Sequence, residues 1–188
     1  MKNKIISIVM VAIMLVSMST ASFATESITA KATTSKVIFD DVEISFEAYN
    51  INDNNYFKLR DIAYTASPQV AFSPYYGFKV EWDEALNAIN IIKLGDWDNS
   101  TYEPVGGEMA LGDGTDKLAT PCTSAIYLNG EPIELQAYTI GGNNYFKLRD
   151  LCAALNYAVD WDEETDSVIV CTYMDQEFYD EVYGSVEF

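Results

Sequence analysis

The sequence predicts an α+β fold of two tandem modules, each a roughly five-stranded antiparallel sheet packed on one short helix (β-β-β-α-β-β). The first observation is that the octamer NNYFKLRD occurs at positions 54–61 and again at 143–150, an offset of 89 (143 − 54). The second is that similar residues flank both octamers at matching distances. Identity over eight positions at a fixed offset indicates an internal duplication. We therefore assign module 1 to residues 37–93 and module 2 to residues 124–172.

The second copy predicts three strands before its helix. A first strand at 125–128 is followed by Asn129-Gly130, the dipeptide best suited to a two-residue hairpin turn. In the next run, the apolar residues Ile133, Leu135 and Ala137 alternate with Glu134, Gln136 and Tyr138, which is the period of a half-buried strand. A second turn at 141–144 leads into a third strand with the sequence YFK.

The period then changes to that of a helix. Apolar residues recur at i, i+3, i+4 and i+7, which predicts one buried face of a short helix: Leu148, Leu151, Cys152 and Leu155. Strands at 158–161 and 167–171, joined by an acidic turn at 162–166, complete the module. Within the octamer, NN predicts a turn, YFK a strand and LRD the start of the helix. These folding requirements explain the repetition of the octamer without an active site.

The first copy repeats this order with ten extra residues after the octamer. Asp40-Asp41 stands where the second copy has Asn129-Gly130. Further on, VEWDE at 80–84 corresponds to VDWDE at 159–163, and AINII at 88–92 corresponds to SVIVC at 167–171. Each copy has only about 50 to 57 residues, a size at which an isolated domain is marginally stable. We therefore expect the two modules to support each other.

The N-terminus has the pattern of a secretory signal peptide, residues 1–24. Lys2 and Lys4 precede an apolar run, and the small residues Ser22 and Ala24 mark a cleavage site. The apolar run, 5–18, is shorter than the roughly 20 residues that a spanning helix needs. We expect a secreted or cell-surface-associated protein with no membrane span after cleavage.

Two segments follow neither period. Residues 94–123 are predicted to be a linker because they are rich in Gly, Asp and Thr, although Trp97, Tyr102 and Met109 suggest that part of the segment packs on a module. The tail, 173–188, is acidic and aromatic, and its sequence is compatible with an extra strand or with a free end.

The expected mature chain, residues 25–188, is strongly acidic. It has 9 Lys and Arg (11 − 2) against 29 Asp and Glu, which gives a net charge of −20 (9 − 29). Nucleic-acid partners are excluded because phosphates require a basic face. Most of the acids are expected to form a solvated, soluble surface.

Two copies of NNYFKLRD, each followed by an apolar helix and a V-x-W-D hairpin, resemble the stalk modules related to the N-terminal domain of copper amine oxidases. Such modules recur in tandem in exported proteins of Gram-positive bacteria. The resemblance covers residues 37–93 and 124–172, and it implies a five-stranded antiparallel sheet wrapped against one helix, with a spacer or binding role. It does not extend to the oxidase domain, which holds copper with three histidines and forms its quinone in an Asn-Tyr-acid motif. This chain has neither histidine nor that motif.

We predict no enzymatic activity and assign no catalytic residue, metal ligand or cofactor. The lack of histidine removes the usual general base and every Ser-His or Cys-His nucleophile. A carboxylate pair, as in glycoside hydrolysis, carries little weight among 29 acids. Three cysteines, Cys122, Cys152 and Cys171, allow at most one internal disulfide and, without histidine, no Cys/His zinc site. Acidic turns at 95–100, 112–116 and 162–166 offer oxygen ligands to calcium, but none is a complete calcium loop, so we interpret them as solvated turns.

The predicted function is that of a secreted, non-catalytic surface spacer or protein-binding module. Its partner is an unidentified envelope component, protein or glycan. The alternative is a cell-wall polysaccharide-binding protein, because the chain has 13 tyrosines and three tryptophans. Most of these aromatic residues fall in predicted strands, which they favour for other reasons. A calcium-dependent surface protein is the third possibility.

The sequence predicts structural roles for two Arg-Trp pairs. Trp82 and Trp161 open matching hairpins and are expected in the core or at its edge. Arg60 and Arg149 are expected to pair with Asp83 and Asp162, or to lie over the two tryptophans.

Overall fold

The computed structural model describes residues 26–33, 36–67, 77–94 and 102–184. The predicted signal peptide therefore lies outside the described residues. The described part consists mostly of strands with three short helices, which confirms the α+β class.

The elements follow the duplicated sequence. The first copy contains seven strands and a helix: β1 (Ile28–Thr33), β2 (Lys36–Phe39), β3 (Val42–Ile44), β4 (Ala48–Ile51), β5 (Asn54–Lys58), α1 (Leu59–Thr65), β6 (Phe78–Asp83) and β7 (Ala88–Lys93). The second copy repeats them and adds a C-terminal helix: β8 (Lys117–Pro121), β9 (Ala125–Leu128), β10 (Glu131–Pro132), β11 (Ala137–Ile140), β12 (Asn143–Lys147), α2 (Leu148–Leu155), β13 (Ala158–Asp162), β14 (Ser167–Cys171) and α3 (Gln176–Tyr183).

The two copies do not form separate sheets, and this corrects the predicted two-module layout. Six strands close a barrel in the order β1-β4-β5-β12-β11-β8. The other strands form two four-stranded sheets, β10-β9-β7-β6 and β13-β14-β2-β3. Each of these sheets joins one hairpin from each copy through a parallel pair, β7 with β9 or β14 with β2. A unit of about 50 residues buries too little surface alone, and the shared sheets give both copies one core.

Each copy begins one strand earlier than its repeat pattern predicts. β1 and β8 are equivalent at the offset of 89, and they pair with each other to close the barrel. β8 lies within residues 94–123, the predicted linker. Part of that segment packs as expected: Tyr102 is buried, and the Met109 backbone N–H donates to Asp61. Trp97 lies outside the described residues.

Four two-residue turns form the hairpins at the barrel rim and at the sheet ends. Both residues of each turn have positive φ: Asp40-Asp41, Asn52-Asp53, Asn129-Gly130 and Gly141-Gly142. This confirms the predicted Asn129-Gly130 turn and its alignment with Asp40-Asp41. The octamer does not turn the chain, however. Its two asparagines are the first residues of β5 and β12, because the preceding pair already completes the reversal.

The predicted helix of the second copy is confirmed as α2. Its four apolar residues are all buried, and the helix ends at Asn156, whose left-handed conformation (φ 62°) stops the helix. Burial raises the pKa of the Cys152 thiol to about 12, which keeps it protonated at neutral pH. All three cysteines are free.

The barrel and the sheets enclose two apolar clusters. One fills the barrel interior and includes four tyrosines, Tyr49, Tyr56, Tyr138 and Tyr145. The other lies between the outer barrel face, the helices α1 and α2 and both sheets. Tyr138 is therefore buried, although its alternation with Ala137 predicts a solvent-facing side chain. One face of β11 lines the barrel interior, and its other face packs on the larger cluster. Alternate residues of this strand therefore enter two different cores, and neither set faces solvent.

Residues 176–183 of the tail form a helix, which is neither the extra strand nor the free end that the sequence was compatible with. Asp175 caps α3 by accepting a hydrogen bond of 2.9 Å from the Phe178 backbone N–H. Tyr179 packs in a small buried cluster with Ala158 and Cys171.

Asp40 joins the first copy to the end of the second. Its buried carboxylate accepts 2.7 Å hydrogen bonds from the backbone N–H and the hydroxyl of Thr172. Burial nevertheless raises the pKa of Asp40 above 3.8, since desolvation outweighs these bonds. Ionisation of Asp40 thus costs stability. The stabilisation that protonated Asp40 provides to the folded state is fully present below the unfolded pKa of about 3.9. It is lost as the pH rises through the folded pKa of this residue.

We expect Asp40→Asn to gain stability relative to the unsubstituted protein as pH rises from about 4 to 7. The amide keeps both contacts, because its oxygen accepts from the Thr172 N–H and its NH2 group donates to the Thr172 hydroxyl. Urea unfolding at several pH values measures the difference, with the adjacent exposed Asp41→Asn as the control for removing one negative charge. A difference that stays constant or shrinks toward pH 7 would contradict the assignment.

Candidate binding grooves

The two octamers lie side by side in opposite directions. β5 and β12 pair antiparallel, with Phe57 opposite Phe146 and Lys58 opposite Tyr145. The start of each octamer therefore lies beside the end of the other. This register builds two surface grooves, each from residues of both copies.

We name the grooves after their tryptophans. The Trp82 groove is lined by residues 58–60, 80–82, 89 and 142–144. The Trp161 groove is lined by residues 147–149, 159–161, 168 and 53–55. Every position in one groove has its repeat equivalent in the other. Of the ten positions, seven carry the same residue type: Lys58 and Lys147, Leu59 and Leu148, Arg60 and Arg149, Val80 and Val159, Trp82 and Trp161, Asn143 and Asn54, and Asn144 and Asn55.

The octamer therefore contributes to the grooves as well as to folding. Its two asparagines line one groove, and its Lys-Leu-Arg segment lines the other. The intervening Tyr56 and Phe57 point to the barrel interior and to the larger core, respectively. The sequence signal for the grooves was the identity of the asparagines at two strand starts, positions where a strand itself does not require Asn.

The second asparagine of each octamer is oriented by its own hairpin. Asn50 Nδ2 donates a 3.1 Å hydrogen bond to Asn55 Oδ1, and Thr139 Oγ1 donates a 3.0 Å hydrogen bond to Asn144 Oδ1. Asn50 and Thr139 are repeat equivalents, so two different side chains perform the same task. Because each bond uses the amide oxygen, the NH2 group of each amide is left for another partner.

The two lysines of the grooves have carboxylate partners within the protein. Lys58 Nζ is buried 3.4 Å from Asp61 and 3.6 Å from Glu47. Lys147 Nζ is 3.4 Å from Asp150. The lysine charges are therefore largely offset before any ligand binds.

The two arginines are exposed and lie in the grooves. They are the only arginines in the chain. The aspartates predicted as their partners are engaged in hairpin turns: Asp83 accepts from the Leu86 N–H, and Asp162 accepts from the Glu164 N–H and the Thr165 hydroxyl. Each arginine lines the same groove as its tryptophan, Arg60 with Trp82 and Arg149 with Trp161.

The tryptophans differ in exposure, and the grooves differ in size. Trp161 is partly buried against the core, as expected, whereas Trp82 is 46% exposed and is not a core residue. The Trp161 groove has a volume of about 520 Å³ and the Trp82 groove about 90 Å³. The linings differ at three positions: Glu81, Ile89 and Gly142 of the Trp82 groove stand where the Trp161 groove has Asp160, Val168 and Asp53.

A polar cluster around Glu47 breaks the equivalence of the two copies. Glu47 accepts hydrogen bonds from Tyr49 (2.8 Å), Tyr145 (3.0 Å) and Lys117 (3.1 Å). Burial alone would raise the pKa of Glu47, but these bonds outweigh it and hold the pKa below 4.5. The equivalent residue, Gln136, is exposed and makes one long contact of 3.4 Å with Tyr138. The cluster links the start of β4 to β8 and β12.

In the acidic segments 112–116 and 162–166, aspartate side chains accept hydrogen bonds from residues of the same turn. Asp113 accepts hydrogen bonds from the backbone N–H and the hydroxyl of Thr115, and Asp162 caps the 162–166 turn in the same way. The turn at 95–100 lies outside the described residues. Within the ranges that the structure describes, no group of three or more Cys, Asp or Glu side chains is arranged to hold a metal ion.

None of the helices in the described ranges combines the length and apolar character needed to cross a membrane. Comparisons with protein-family models, with curated proteins and with solved structures gave no match to this chain.

Proposed function

We propose that this protein is an exported, non-catalytic binding protein that holds an envelope component in two equivalent grooves. The observation that carries the proposal is the repetition of the groove lining, with the same residue type at seven of ten equivalent positions drawn from both copies. Core residues repeat because both copies fold alike, whereas the two arginines are exposed at the surface, where packing in the core does not require them. Their repetition on the surface is typical of a binding site.

We also propose that this chain is related to the stalk modules of exported Gram-positive proteins. The duplicated octamer and the hairpins that flank it support this relationship. In this version of the architecture, the two copies are one folding unit with two binding sites. A spacer role is compatible with it, because a rigid two-site body can both separate and hold its partners.

Binding is favoured over catalysis by what the grooves have in common. The side chains common to both grooves include an indole, a guanidinium, an ammonium, two amides and one carboxylate position, Glu81 or Asp160. The Trp161 groove adds a second carboxylate, Asp53, but the Trp82 groove has Gly142 there, so a carboxylate pair of the kind that hydrolysis needs is not common to both sites. With no histidine in the chain, the shared groups form a recognition surface.

We expect Arg60→Ala/Arg149→Ala to weaken binding to purified Gram-positive envelopes by at least about tenfold, because charge-assisted hydrogen bonds typically contribute about 1.5–3 kcal/mol each. The measurement is co-sedimentation of the full mature chain with the envelopes at physiological salt. Lys31→Ala, an exposed lysine on β1 outside both grooves, is the control for removing one positive charge, and each single arginine variant is compared with it.

The same variants decide between a structural and a binding role for the arginines. The proposal expects melting temperatures close to that of the unsubstituted protein together with lost binding. Equal binding by the arginine and Lys31 variants, or no sedimentation of the unsubstituted protein, would overturn it.

A further inference from the structure

We infer that the ligand of both grooves is an uncharged glycan chain, and that the Trp161 groove is the tighter of the two sites. This inference rests on the proposed function and adds the chemical class of the ligand. Three features of the grooves carry it: an indole face, a mixed set of donors and acceptors, and local charge balance.

The indole supplies an apolar surface at the groove wall. Trp161 is held partly buried by the core, so its ring has a fixed position. Pyranose rings have apolar C–H faces that pack on such a ring, while their hydroxyls remain at the edges. A fixed indole beside polar side chains therefore fits a sugar ring better than it fits a purely apolar group.

The polar side chains match hydroxyl groups, which both donate and accept hydrogen bonds. In the Trp161 groove, the Asn55 amide NH2 is a donor, and the Asp160 carboxylate, whose Oδ1 accepts from the Trp161 backbone N–H, has a second oxygen that can accept. The five N–H groups of the Arg149 guanidinium add further donors. Asn144, Arg60 and Glu81 repeat this set in the Trp82 groove. The orientation of Asn55 by Asn50 fixes one donor before a ligand arrives, which reduces the entropy lost on binding.

The charges favour an uncharged chain over an anionic one. The groove lysines already have carboxylate partners, and each groove adds an arginine together with at least one acid. The expected mature chain has a net charge of −20 (9 − 29), which repels anionic polymers at long range. The Trp161 groove, at about 520 Å³, has the size of a typical ligand site, whereas the Trp82 groove is far smaller.

An extended peptide is the competing ligand, because β6 and β13 are sheet edges that also line the grooves. A peptide that pairs with an edge strand is recognised through backbone hydrogen bonds. It would therefore depend little on Arg149 or Trp161, and this difference separates the two ligand classes.

The test is titration of the full mature chain by calorimetry with cellohexaose and hexa-N-acetylchitohexaose as uncharged probes and polygalacturonate as the anionic probe. We expect binding of at least one uncharged probe and none of polygalacturonate. Trp161→Ala should weaken binding at least about tenfold, Trp161→Phe should restore part of it because an aromatic face remains, and Trp82→Ala should have the smaller effect. Binding of polygalacturonate alone, or equal affinity in Trp161→Ala, would overturn the inference.

A second arm separates this inference from the proposed function. Envelopes are treated with periodate, which cleaves vicinal diols, or with protease, and co-sedimentation is repeated. Loss after periodate alone supports a glycan with vicinal diols, whereas a chain of 1,4-linked N-acetylamino sugars lacks them and is tested by the acetylated probe in the calorimetry. Loss after protease alone refutes the glycan and leaves the two-groove binding protein standing, whereas no binding to untreated envelopes refutes both.

Discussion

Glu47→Ala is expected to lower the free energy of unfolding by about 3–5 kcal/mol, the usual cost of removing one partner of a buried ion pair. The carboxylate accepts from two tyrosine hydroxyls and from Lys117, and it lies 3.6 Å from Lys58. Without it, the buried Lys58 ammonium keeps only Asp61, and the hydroxyl of Tyr145 loses its acceptor. Urea unfolding at pH 7 measures the loss.

The matched control is Gln136→Ala at the equivalent position of the second copy. Gln136 is exposed and makes one 3.4 Å contact, so its removal should cost less than about 1 kcal/mol. The pH dependence gives a second check. Because the folded pKa of Glu47 is lowered, its stabilisation is present above the unfolded value of about 4.3 and is lost as pH falls through the folded pKa. Similar costs for the two alanine variants would refute the role given to Glu47.

Phe57→Ala is expected to cost about 3–5 kcal/mol and to unfold the whole protein in one transition. Phe57 is fully buried, contacts the Phe46 ring edge to face at 5.5 Å, and lies opposite Phe146 of the other copy. Removing the ring leaves a cavity in the core that both copies share. Both copies should therefore melt together at a lower temperature.

Far-ultraviolet and near-ultraviolet circular dichroism would follow the transition, since coincident curves indicate two-state unfolding. Leu118→Ala on β8, where Leu118 is 68% exposed, is the control and should change stability by less than about 0.5 kcal/mol. Two separate transitions in Phe57→Ala, one of them at the original temperature, would show that the copies fold independently.

The sequence correctly predicts those elements that depend only on residues close together in the chain. The helix α2 follows from apolar residues within one eight-residue window, and the Asn129-Gly130 turn follows from the backbone preferences of two residues. The octamer predicts a turn at its first residue, Asn54, because Asn suits a turn, but the turn lies two residues earlier. The pair Asn52-Asp53, which adopts positive φ at both positions, already closes that hairpin.

The pairing of the two copies could not be read from the sequence. Hydrophobic period shows which face of a strand is buried, but it does not show which strand lies beside it. Because the two copies are similar, each hairpin could pair with strands of its own copy or with the equivalent strands of the other copy. Packing of the core determines which of these pairings forms. The grooves were missed for the same reason, since they exist only when Asn55 of one copy meets Arg149 of the other.

The parallel pairing of β14 with β2 delays completion of the fold during synthesis. Ser167 pairs with Lys36, 131 positions earlier (167 − 36). At roughly 5–20 residues per second, the ribosome needs about 7 to 26 s to make the intervening chain. High contact order of this kind also slows folding after release. During that interval, one edge of β2 lacks its partner while Val37 and Phe39, buried in the finished protein, remain uncovered, so the nascent chain is most prone to aggregation before β14 emerges.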